Sequence, residues 1–363
     1  MPVADLKFLG RCALPCCRPR PRPAYPERGL KASHIADELP KIAYVRQYGW
    51  LEVESLTRNF TAAVIGEGGF STVYLTRLRG ATAPSSSLAA VKVHRSGERL
   101  HRAFLQELDV LLRLRHPRIV RLLGFCDDRE EGVLVLEYVP NGSLHEKLHS
   151  GAGDAAALGW ARRMRIAYEV AGAVEYLHDG CGELPIVHGD ITTANVLLDG
   201  GLDPKLCDFG SARAGFSSAV RSAGPIIGSP GYADPHYLRT GMVSKSTDVY
   251  SFGVLLLELI TGLPAVGSEE GRVLTADMRP RLREEGRGVA EAVDPRLGGE
   301  YDTREAAAMA AVAARCVGEQ PSLRPSMAEI RLIMREEVPS SSSAVVAGSN
   351  GKAAALRSSL TVF

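Results

Sequence analysis

The chain has 363 residues, 45% of them apolar, and a formal net charge of +1. A chain of this length can bury a large core in two or three domains, or in one two-lobed domain with tails, and its near-neutral charge argues against nucleic acid as a partner. The longest apolar run, 249–257, is too short to cross a membrane, and the first residues lack the apolar core of a signal peptide. We therefore expect a cytoplasmic protein whose cysteines are reduced.

Residues 1–58 are predicted to form a mostly disordered tail, because they begin with a basic, proline-rich stretch that shows no sustained period. Cys12, Cys16 and Cys17 lie in this stretch. Cysteines beside basic residues near a terminus are candidates for S-acylation, and two or three acyl chains with a basic patch hold a protein at the anionic cytoplasmic face of a membrane. Unmodified thiols on a disordered arm are the equal alternative. Pro2 excludes N-myristoylation, which requires glycine at that position.

A glycine cluster flanked by β-forming residues occupies 64–75. This pattern predicts a strand, a turn and a second strand, and the glycines allow backbone N–H groups to approach phosphates closely. No helical period follows the cluster, so it is not the strand-to-helix dinucleotide fingerprint.

Lys92 is the one lysine in the apolar strand predicted at 88–93. A buried lysine requires an anion, and the helix predicted at 100–115 supplies Glu107 at the edge of its inward stripe. That stripe is predicted to consist of Phe104, Leu108, Leu111 and Leu112. We therefore predict an ion pair between Lys92 and Glu107 rather than a solvated acid.

Two short apolar runs, 196–198 and 205–207, flank an Asp-Gly-Gly turn and predict a β-hairpin. Asp190 and Asn195 precede its first strand, and Asp208 follows its second strand. Antiparallel pairing brings the two ends of such a hairpin together, so these three side chains are expected to converge. Two carboxylates and an amide oxygen are the hard ligands that suit Mg²⁺.

Taken in order, these motifs resemble those of the protein kinase family. The resemblance rests on the glycine-rich segment at 64–75, Lys92 with its acid partner, His-Gly-Asp at 188–190, Asn195, and Asp-Phe-Gly at 208–210. Each motif is weak alone, and their order and spacing carry the resemblance.

Further motifs extend the resemblance over roughly 59–336. Residues 228–236 resemble the end of a kinase activation segment, 248–253 the start of the central large-lobe helix, and Arg324 the late arginine motif. The Asn-Gly-Ser-Leu of 141–144 is most similar to plant receptor-like kinases. Without a receptor domain or membrane span, the chain resembles the receptor-like cytoplasmic kinases.

The resemblance implies an α+β, two-lobed protein kinase fold. A small β-rich N-lobe is expected at about 59–139 and a larger helical C-lobe at about 140–336, followed by a disordered tail at 337–363. It also implies protein substrates, an upstream receptor kinase, and a monomer or transient dimer.

The resemblance assigns the site residues as follows. Lys92, steadied by Glu107, would hold the phosphates of ATP, Asp190 would orient the substrate hydroxyl and accept its proton, and Asn195 and Asp208 would hold Mg²⁺. Backbone groups of Glu137 and Val139 would bind adenine. The other residues assigned to the nucleotide site are Ile65, Gly66, Glu67, Gly68, Gly69, Phe70, Ser71, Val73 and Ala90.

Three residues depart from the kinase pattern. Gly189 replaces the arginine before the catalytic aspartate, which implies activity that does not depend on phosphorylation of the activation segment. Thr192 stands where serine/threonine kinases carry a lysine that reaches the γ-phosphate, which implies slow turnover. His236 replaces the glutamate expected to pair with Arg324, which implies a loosely anchored segment, a pseudokinase, or another contact for Arg324.

The sequence therefore predicts a slow kinase acting on serine or threonine, with tyrosine not excluded. Ser229 occupies the position of a small hydroxyl residue that favours serine or threonine as acceptor. A silent nucleotide-binding scaffold is the main alternative, and a small-molecule kinase is disfavoured by the peptide shelf expected at 208–236. Cys207 is predicted to be a small buried side chain rather than a reactive thiol.

Overall fold

A computed structural model of the chain describes residues 45–78, 87–149, 158–182, 184–215, 220–221, 228–267, 271–283 and 292–342. These residues form a smaller lobe built on a β-sheet and a larger, mostly helical lobe, so the predicted α+β two-lobed fold is confirmed. Cys12, Cys16 and Cys17, predicted as acylation sites, lie outside the described residues.

The smaller lobe is organised around one six-stranded sheet. Its strands are β1 (Arg46–Gln47), β2 (Val64–Glu67), β3 (Ser71–Leu78), β4 (Ser87–His94), β5 (Leu122–Cys126) and β6 (Val133–Glu137). They lie in the order β1-β5-β6-β4-β3-β2, and all neighbours are antiparallel except the parallel pair β1 and β5. Two helices pack on this sheet, α1 (Trp50–Leu56) and α2 (Glu98–Arg113).

Helix α2 turns a different arc inward from the one predicted. Phe104, Leu108 and Leu111 are buried as expected, but Leu112 is 40% exposed and its assignment to the core is wrong. The buried arc is centred closer to Glu107, which is 1% exposed, and Val110 lies at its other edge. The helix is therefore rotated so that its acid points into the protein.

The packed region is longer than the predicted domain at both ends. Residues 45–58, assigned to the tail, contribute β1 and α1, and Val53 of α1 is fully buried. This segment shows no local sequence pattern, because β1 has only two residues and is stabilised by pairing with β5, far along the chain. At the other end, Val338 is fully buried and the short helix that follows it packs on the large lobe.

The larger lobe consists mainly of helices joined by two-stranded ribbons. Its helices are α3 (Leu144–His149), α4 (Trp160–Glu175), α5 (Pro235–Thr240), α6 (Lys245–Thr261), α7 (Leu274–Arg283), α8 (Thr303–Cys316), α9 (Met327–Glu337) and α10 (Pro339–Ser342). Its strands are β7 (Ile186–Val187), β8 (Val196–Leu198), β9 (Pro204–Leu206), β10 (Arg213–Ala214), β11 (Val220–Arg221) and β12 (Met242–Val243). The ribbons pair β7 with β10, β8 with β9, and β11 with β12.

Helix α6 forms the centre of this lobe. It is apolar on nearly all sides, which is the pattern of a helix surrounded by other elements, and it packs against α4, α7 and α8. A capping box of Ser244 and Thr247 begins the helix, and Gly262 ends it in the left-handed conformation. Its buried polar residues Asp248 and Glu258 therefore require partners inside the protein. No helix of the described ranges is long and apolar enough to span a bilayer.

Candidate active site

Lys92 on β4 lies at the centre of a buried charge cluster. Its Nζ is 2.8 Å from Oε1 and 2.9 Å from Oε2 of Glu107, so the predicted ion pair is present. The Lys92 side chain is 12% exposed and that of Glu107 is 2% exposed. Burial opposes the charge on each group, but their mutual attraction prevails: the pKa of Lys92 is raised and the pKa of Glu107 is lowered. Both groups are therefore ionised at neutral pH.

The hairpin of β8 and β9 brings Asp208 to the same lysine. These strands pair as predicted, with Val196 opposite Leu206, and Asp208 Oδ1 lies 2.9 Å from Lys92 Nζ. Although the Asp208 side chain is half exposed, the protein around it desolvates the carboxyl and opposes its ionisation, but Lys92 holds its pKa below the ordinary value. Asp208 also adopts φ +62°, an uncommon conformation outside glycine that is often found at functional sites.

His94 is a member of this cluster that the sequence analysis misses. Its Nε2 lies 3.2 Å from Oε2 of Glu107, and its Nδ1 lies 3.0 Å from the carbonyl oxygen of Gly132. The available signal was a polar residue two positions after Lys92, where strand alternation places it on the same face. His94 and Lys92 together hold Glu107 from the sheet side.

Asp190 lies at the centre of a second set of contacts, on the loop before β8. Its Oδ1 accepts a hydrogen bond of 2.7 Å from the hydroxyl of Ser229, and its Oδ2 lies 3.1 Å from Nδ2 of Asn195. The same amide nitrogen donates to the backbone oxygen of Asp190 at 2.9 Å. These bonds fix the carboxylate between the loop and the end of the activation segment.

Thr192 replaces the expected lysine with a buried hydroxyl. The residue is 3% exposed, and its Oγ1 accepts a hydrogen bond of 3.1 Å from the backbone N–H of Asn195. Thr192 thus closes the turn between Asp190 and Asn195. It supplies no positive charge.

Asp248 of α6 anchors this loop from below. One carboxylate oxygen accepts from the backbone N–H of His188 at 2.8 Å and lies 2.9 Å from Nε2 of His178, and the other accepts from Gly189 N–H at 2.8 Å. This role of Asp248 was not predicted from the sequence. An acid in the first turn of an apolar helix was the signal, because such a buried group needs hydrogen-bond donors.

Gly189 occupies a backbone conformation that an arginine would not adopt easily. Its φ is +79°, and a Cβ there would lie 2.8 Å from the carbonyl oxygen of Ser211. Positive φ is strongly disfavoured for residues that carry a Cβ. The glycine is therefore part of the loop's geometry as well as a missing charge.

The glycine-rich segment forms the turn between β2 and β3. Gly66 lies opposite Val73 and Glu67 opposite Thr72 in the antiparallel register, and Gly68 N–H donates to Ser71 O at 2.9 Å. The side chains of Ile65 and Phe70 are 43% and 62% exposed. A Cβ on Gly69 would meet no atom within 4 Å.

The predicted adenine-binding segment follows β6. Glu137 N–H donates to Arg121 O at 3.0 Å, and the Glu137 side chain pairs with Lys205 at 2.8 Å. Val139 and Ala90 are buried, and Ala90 lies beside the end of β6 in the sheet. The adenine contacts of Glu137 and Val139 stay a prediction.

The expected weakness around Arg324 is absent, because this arginine has another partner. Its NH1 and NH2 groups lie 2.7 and 2.9 Å from the two carboxylate oxygens of Asp234, two residues before His236. Both side chains are at most 2% exposed. Arg324 therefore has a re-routed contact, which the sequence left open, and the prediction of a loosely anchored segment is wrong.

Cys207 precedes Asp208 and is partly buried. Burial, with the nearby Asp208 charge, raises the pKa of its thiol, so the reactive thiolate is disfavoured as expected. Cys126, Cys181 and Cys316 are not disulfide-bonded either.

Comparisons with known proteins point to a single family. Residues 61–332 match the family model described as a protein kinase domain. The "Salt tolerance receptor-like cytoplasmic kinase 1" of Oryza sativa subsp. japonica is 56% identical over 309 residues, covering 84% of this chain and 83% of the relative. A probable receptor-like protein kinase of Arabidopsis thaliana is 46% identical, covering 80% and 88% of the two chains. A probable serine/threonine-protein kinase of the same plant is 40% identical, covering 77% and 74%.

Proposed function

This chain belongs to the protein kinase family, and within it to the plant receptor-like cytoplasmic kinases, and we propose that its turnover is slow. Membership of this family makes it a serine/threonine protein kinase. The observation that carries the proposal is a contrast within one cleft. Lys92 makes two carboxylate contacts below 3 Å, whereas Asp190 is flanked by the hydroxyl-bearing residues Thr192 and Ser229. The first arrangement supports nucleotide binding, and the second lacks a cation for the transferred phosphoryl group.

ATP and a divalent metal follow from membership of the family, and we propose that the metal is Mg²⁺. The donor set fits: Asp208 offers a carboxylate that is half exposed, and Asn195 donates its amide nitrogen to Asp190, so the amide oxygen is left for a cation. Two acids face one lysine, which leaves a net negative charge for the metal. When bound, Mg²⁺ would neutralise charge on the ATP phosphates.

We assign the protein residues the following roles in transfer. Asp190 orients a serine or threonine hydroxyl and accepts its proton as the hydroxyl oxygen bonds to the γ-phosphorus and the bond to ADP breaks. The 2.7 Å bond to Ser229 supports this assignment, because it fixes the carboxylate that receives the proton. Lys92 holds the phosphates, and Glu107 keeps Lys92 positively charged.

The absence of a cation at position 192 should lower the rate without preventing nucleotide binding. A preorganised donor to transition-state charge contributes about 3 kcal/mol, or roughly a hundredfold in rate. Thr192 supplies no such charge, so the missing contribution falls on turnover rather than on affinity for ATP.

The test is phosphorylation with γ-labelled ATP and Mg²⁺, measured as autophosphorylation and on a general protein substrate. We expect the parent chain to incorporate phosphate slowly. Lys92→Met and Asp190→Ala should each reduce the rate of incorporation by about 10²–10⁴-fold. Phosphoamino-acid analysis should yield phosphoserine and phosphothreonine.

Labelling that is equal in the parent and in both variants would contradict the proposal and favour a silent scaffold. Calorimetric titration with MgATP separates the two cases, since the scaffold would still bind nucleotide. Absence of MgATP binding would contradict both.

For partners and location, we propose protein substrates, an upstream receptor kinase, and association with the cytoplasmic face of the plasma membrane through the N-terminal tail. Support comes from the names of the relatives and from the basic residues around Cys12, Cys16 and Cys17. Hydroxylamine-sensitive acyl labelling should disappear when these three cysteines become serine. Labelling that persists would exclude them as the sites.

A further inference from the structure

Two histidines and a buried glutamate converge beside the catalytic loop, away from the nucleotide cluster. His145 and His149 lie one helical turn apart on α3, and Glu258 extends toward them from α6. One ligand atom from each of the three residues lies within 4.8 Å of the other two. The phosphoryl-transfer chemistry described above uses none of them.

The hydrogen bonds of His149 determine which of its nitrogens faces the acid. Its Nδ1 lies 3.2 Å from the carbonyl oxygen of Gly262, which can only accept, so Nδ1 carries a hydrogen. Its Nε2 lies 3.0 Å from Oε1 of Glu258. Histidines that bind metals characteristically donate their second N–H to a backbone carbonyl in this way, which orients the ring.

Because His145 lies beside them, an ion pair between His149 and Glu258 does not fully describe the cluster. Its ring centroid lies 4.8 Å from that of His149, and its Nδ1 lies 3.3 Å from Oγ1 of Thr193. Two protonated imidazoles at this separation would repel each other. Two neutral imidazoles would instead present a pair of nitrogen ligands next to a carboxylate.

Glu258 provides the negative charge that would draw a cation to this point. Its side chain is fully buried, and it accepts hydrogen bonds from the hydroxyl of Tyr232 and, at 3.0 Å, from Ala265 N–H. Within the described ranges, no lysine or arginine forms an ion pair with it. A buried carboxylate without a fixed counter-charge is costly.

We propose that His145, His149 and Glu258 form a binding site for a divalent transition-metal ion with the preferences of Zn²⁺. Two imidazoles and one carboxylate, completed by water, are a common zinc ligand set. Bonds of about 2.1 Å in a tetrahedron place ligand atoms about 3.4 Å apart, so ligand atoms that are now up to 4.8 Å apart must approach by up to about 1.4 Å, and the exposed His145 is the residue that can move. His149 and Glu258 are already close enough.

Occupancy of this site would reach the catalytic loop through direct contacts. His145 touches Thr193, and Thr193 Oγ1 lies 2.8 Å from the hydroxyl of Tyr232, which in turn donates to Glu258. A bound ion would therefore tie α3, the catalytic loop and the end of the activation segment to α6. We expect it to raise the melting temperature.

The experiment uses the full chain with Cys12, Cys16 and Cys17 changed to serine, so that the tail thiols do not compete for metal. Co²⁺ is titrated as a coloured substitute for Zn²⁺ in excess MgATP, which occupies the nucleotide site. We expect the intense visible bands of four- or five-coordinate Co²⁺ without thiolate charge-transfer bands, saturating at one ion per chain. One equivalent of Zn²⁺ should abolish these bands.

Variants distinguish this site from adventitious binding. His145→Gln and His149→Gln should each weaken Zn²⁺ binding at least tenfold, whereas His101→Gln, at a partly buried histidine on α2 outside the cluster, should leave it unchanged. His145 is exposed, so its variant tests the site without disturbing the core. Absence of the visible bands in the parent chain, or bands that persist in His145→Gln, would overturn the proposal and leave only a His149–Glu258 ion pair.

Discussion

The two halves of the cleft are built from different chemistry. On the nucleotide side, Lys92 is held between Glu107 and Asp208 at 2.8–2.9 Å, and these three groups are charged. On the substrate side, Asp190 accepts a hydrogen bond from the hydroxyl of Ser229, and Thr192 accepts one from the backbone N–H of Asn195. The catalytic loop at 188–195 contains no lysine or arginine.

Under the proposed assignment, different residues hold the nucleotide and accelerate the transfer. Contacts made equally in the ground and transition states set affinity, whereas contacts made only in the transition state set turnover. We therefore expect ordinary MgATP binding with slow transfer. Variants that alter one half at a time should separate the two tasks.

The largest effect is expected from the ion pair that anchors the substrate half. Asp234→Asn keeps the shape of the side chain and its cap on α5 but leaves the Arg324 charge buried without its acid. Breaking a buried pair in this way costs about 3–5 kcal/mol of the free energy of unfolding, which urea denaturation measures. The matched control is His236→Gln, because His236 is not part of this ion pair. A larger loss in the control than in Asp234→Asn would refute the assignment of Asp234 as the anchor.

Thr192→Lys should give the next largest effect, in the direction of faster turnover. A cation there is worth about 3 kcal/mol, and loss of the bond from Thr192 Oγ1 to Asn195 N–H subtracts about 1 kcal/mol. The net gain of about 2 kcal/mol corresponds to about a thirtyfold rise in kcat. Thr192→Val removes the hydroxyl without adding charge and should slow the enzyme. Steady-state kinetics in which the lysine variant is no faster than the parent would count against this account.

The contribution of the nucleotide half to the free energy of unfolding should change only at very low and very high pH. The pKa values of Glu107 and Asp208 lie below their ordinary 4.5 and 3.8, so the stability they contribute is present above those values and is lost as pH falls through the lowered ones. The pKa of Lys92 lies above its ordinary 10.5, so its contribution is complete below that value and is lost only at higher pH.

The measurement is the difference in free energy of unfolding between the parent and Glu107→Gln as a function of pH. That difference should be constant between about pH 5 and about pH 10 and should shrink in stronger acid. A difference that changes steadily across neutral pH would show that the cluster titrates there.

The smallest effect is expected from the activation segment. Because Gly189 offers no cation to a phosphorylated residue, changing Ser211, Ser217, Ser218 and Ser222 to alanine should alter kcat by less than about twofold. Ser217, Ser218 and Ser222 lie outside the described residues. Loss of activity in the fourfold variant, measured before any autophosphorylation, would show that phosphorylation of this segment is required.

The nucleotide half could be predicted well because its signals are local. A lone lysine in an apolar strand, an acid on the next helix, and a hairpin with polar ends each stand within a short window of sequence. The resulting contacts of Lys92 with Glu107 and Asp208 are present.

The contacts that sequence reasoning missed are those between distant segments. Arg324 pairs with Asp234 rather than with position 236, and β1 finds its partner in β5, across 70 or more intervening residues. His94 was overlooked because a polar residue at a strand end is usually solvated. In each case the partner is chosen by packing in three dimensions, which a local pattern does not encode.

The left-handed backbone at Gly189 has a consequence for how this enzyme could change. A non-glycine residue at positive φ costs about 1–2 kcal/mol, and here its Cβ would also press on Ser211 O. Gly189→Arg alone would thus distort the segment that carries Asp190 before it could grip any phosphate. If activity is independent of phosphorylation as we expect, an arginine at position 189 would need a compensating change near Ser211, so the two positions are expected to show epistasis.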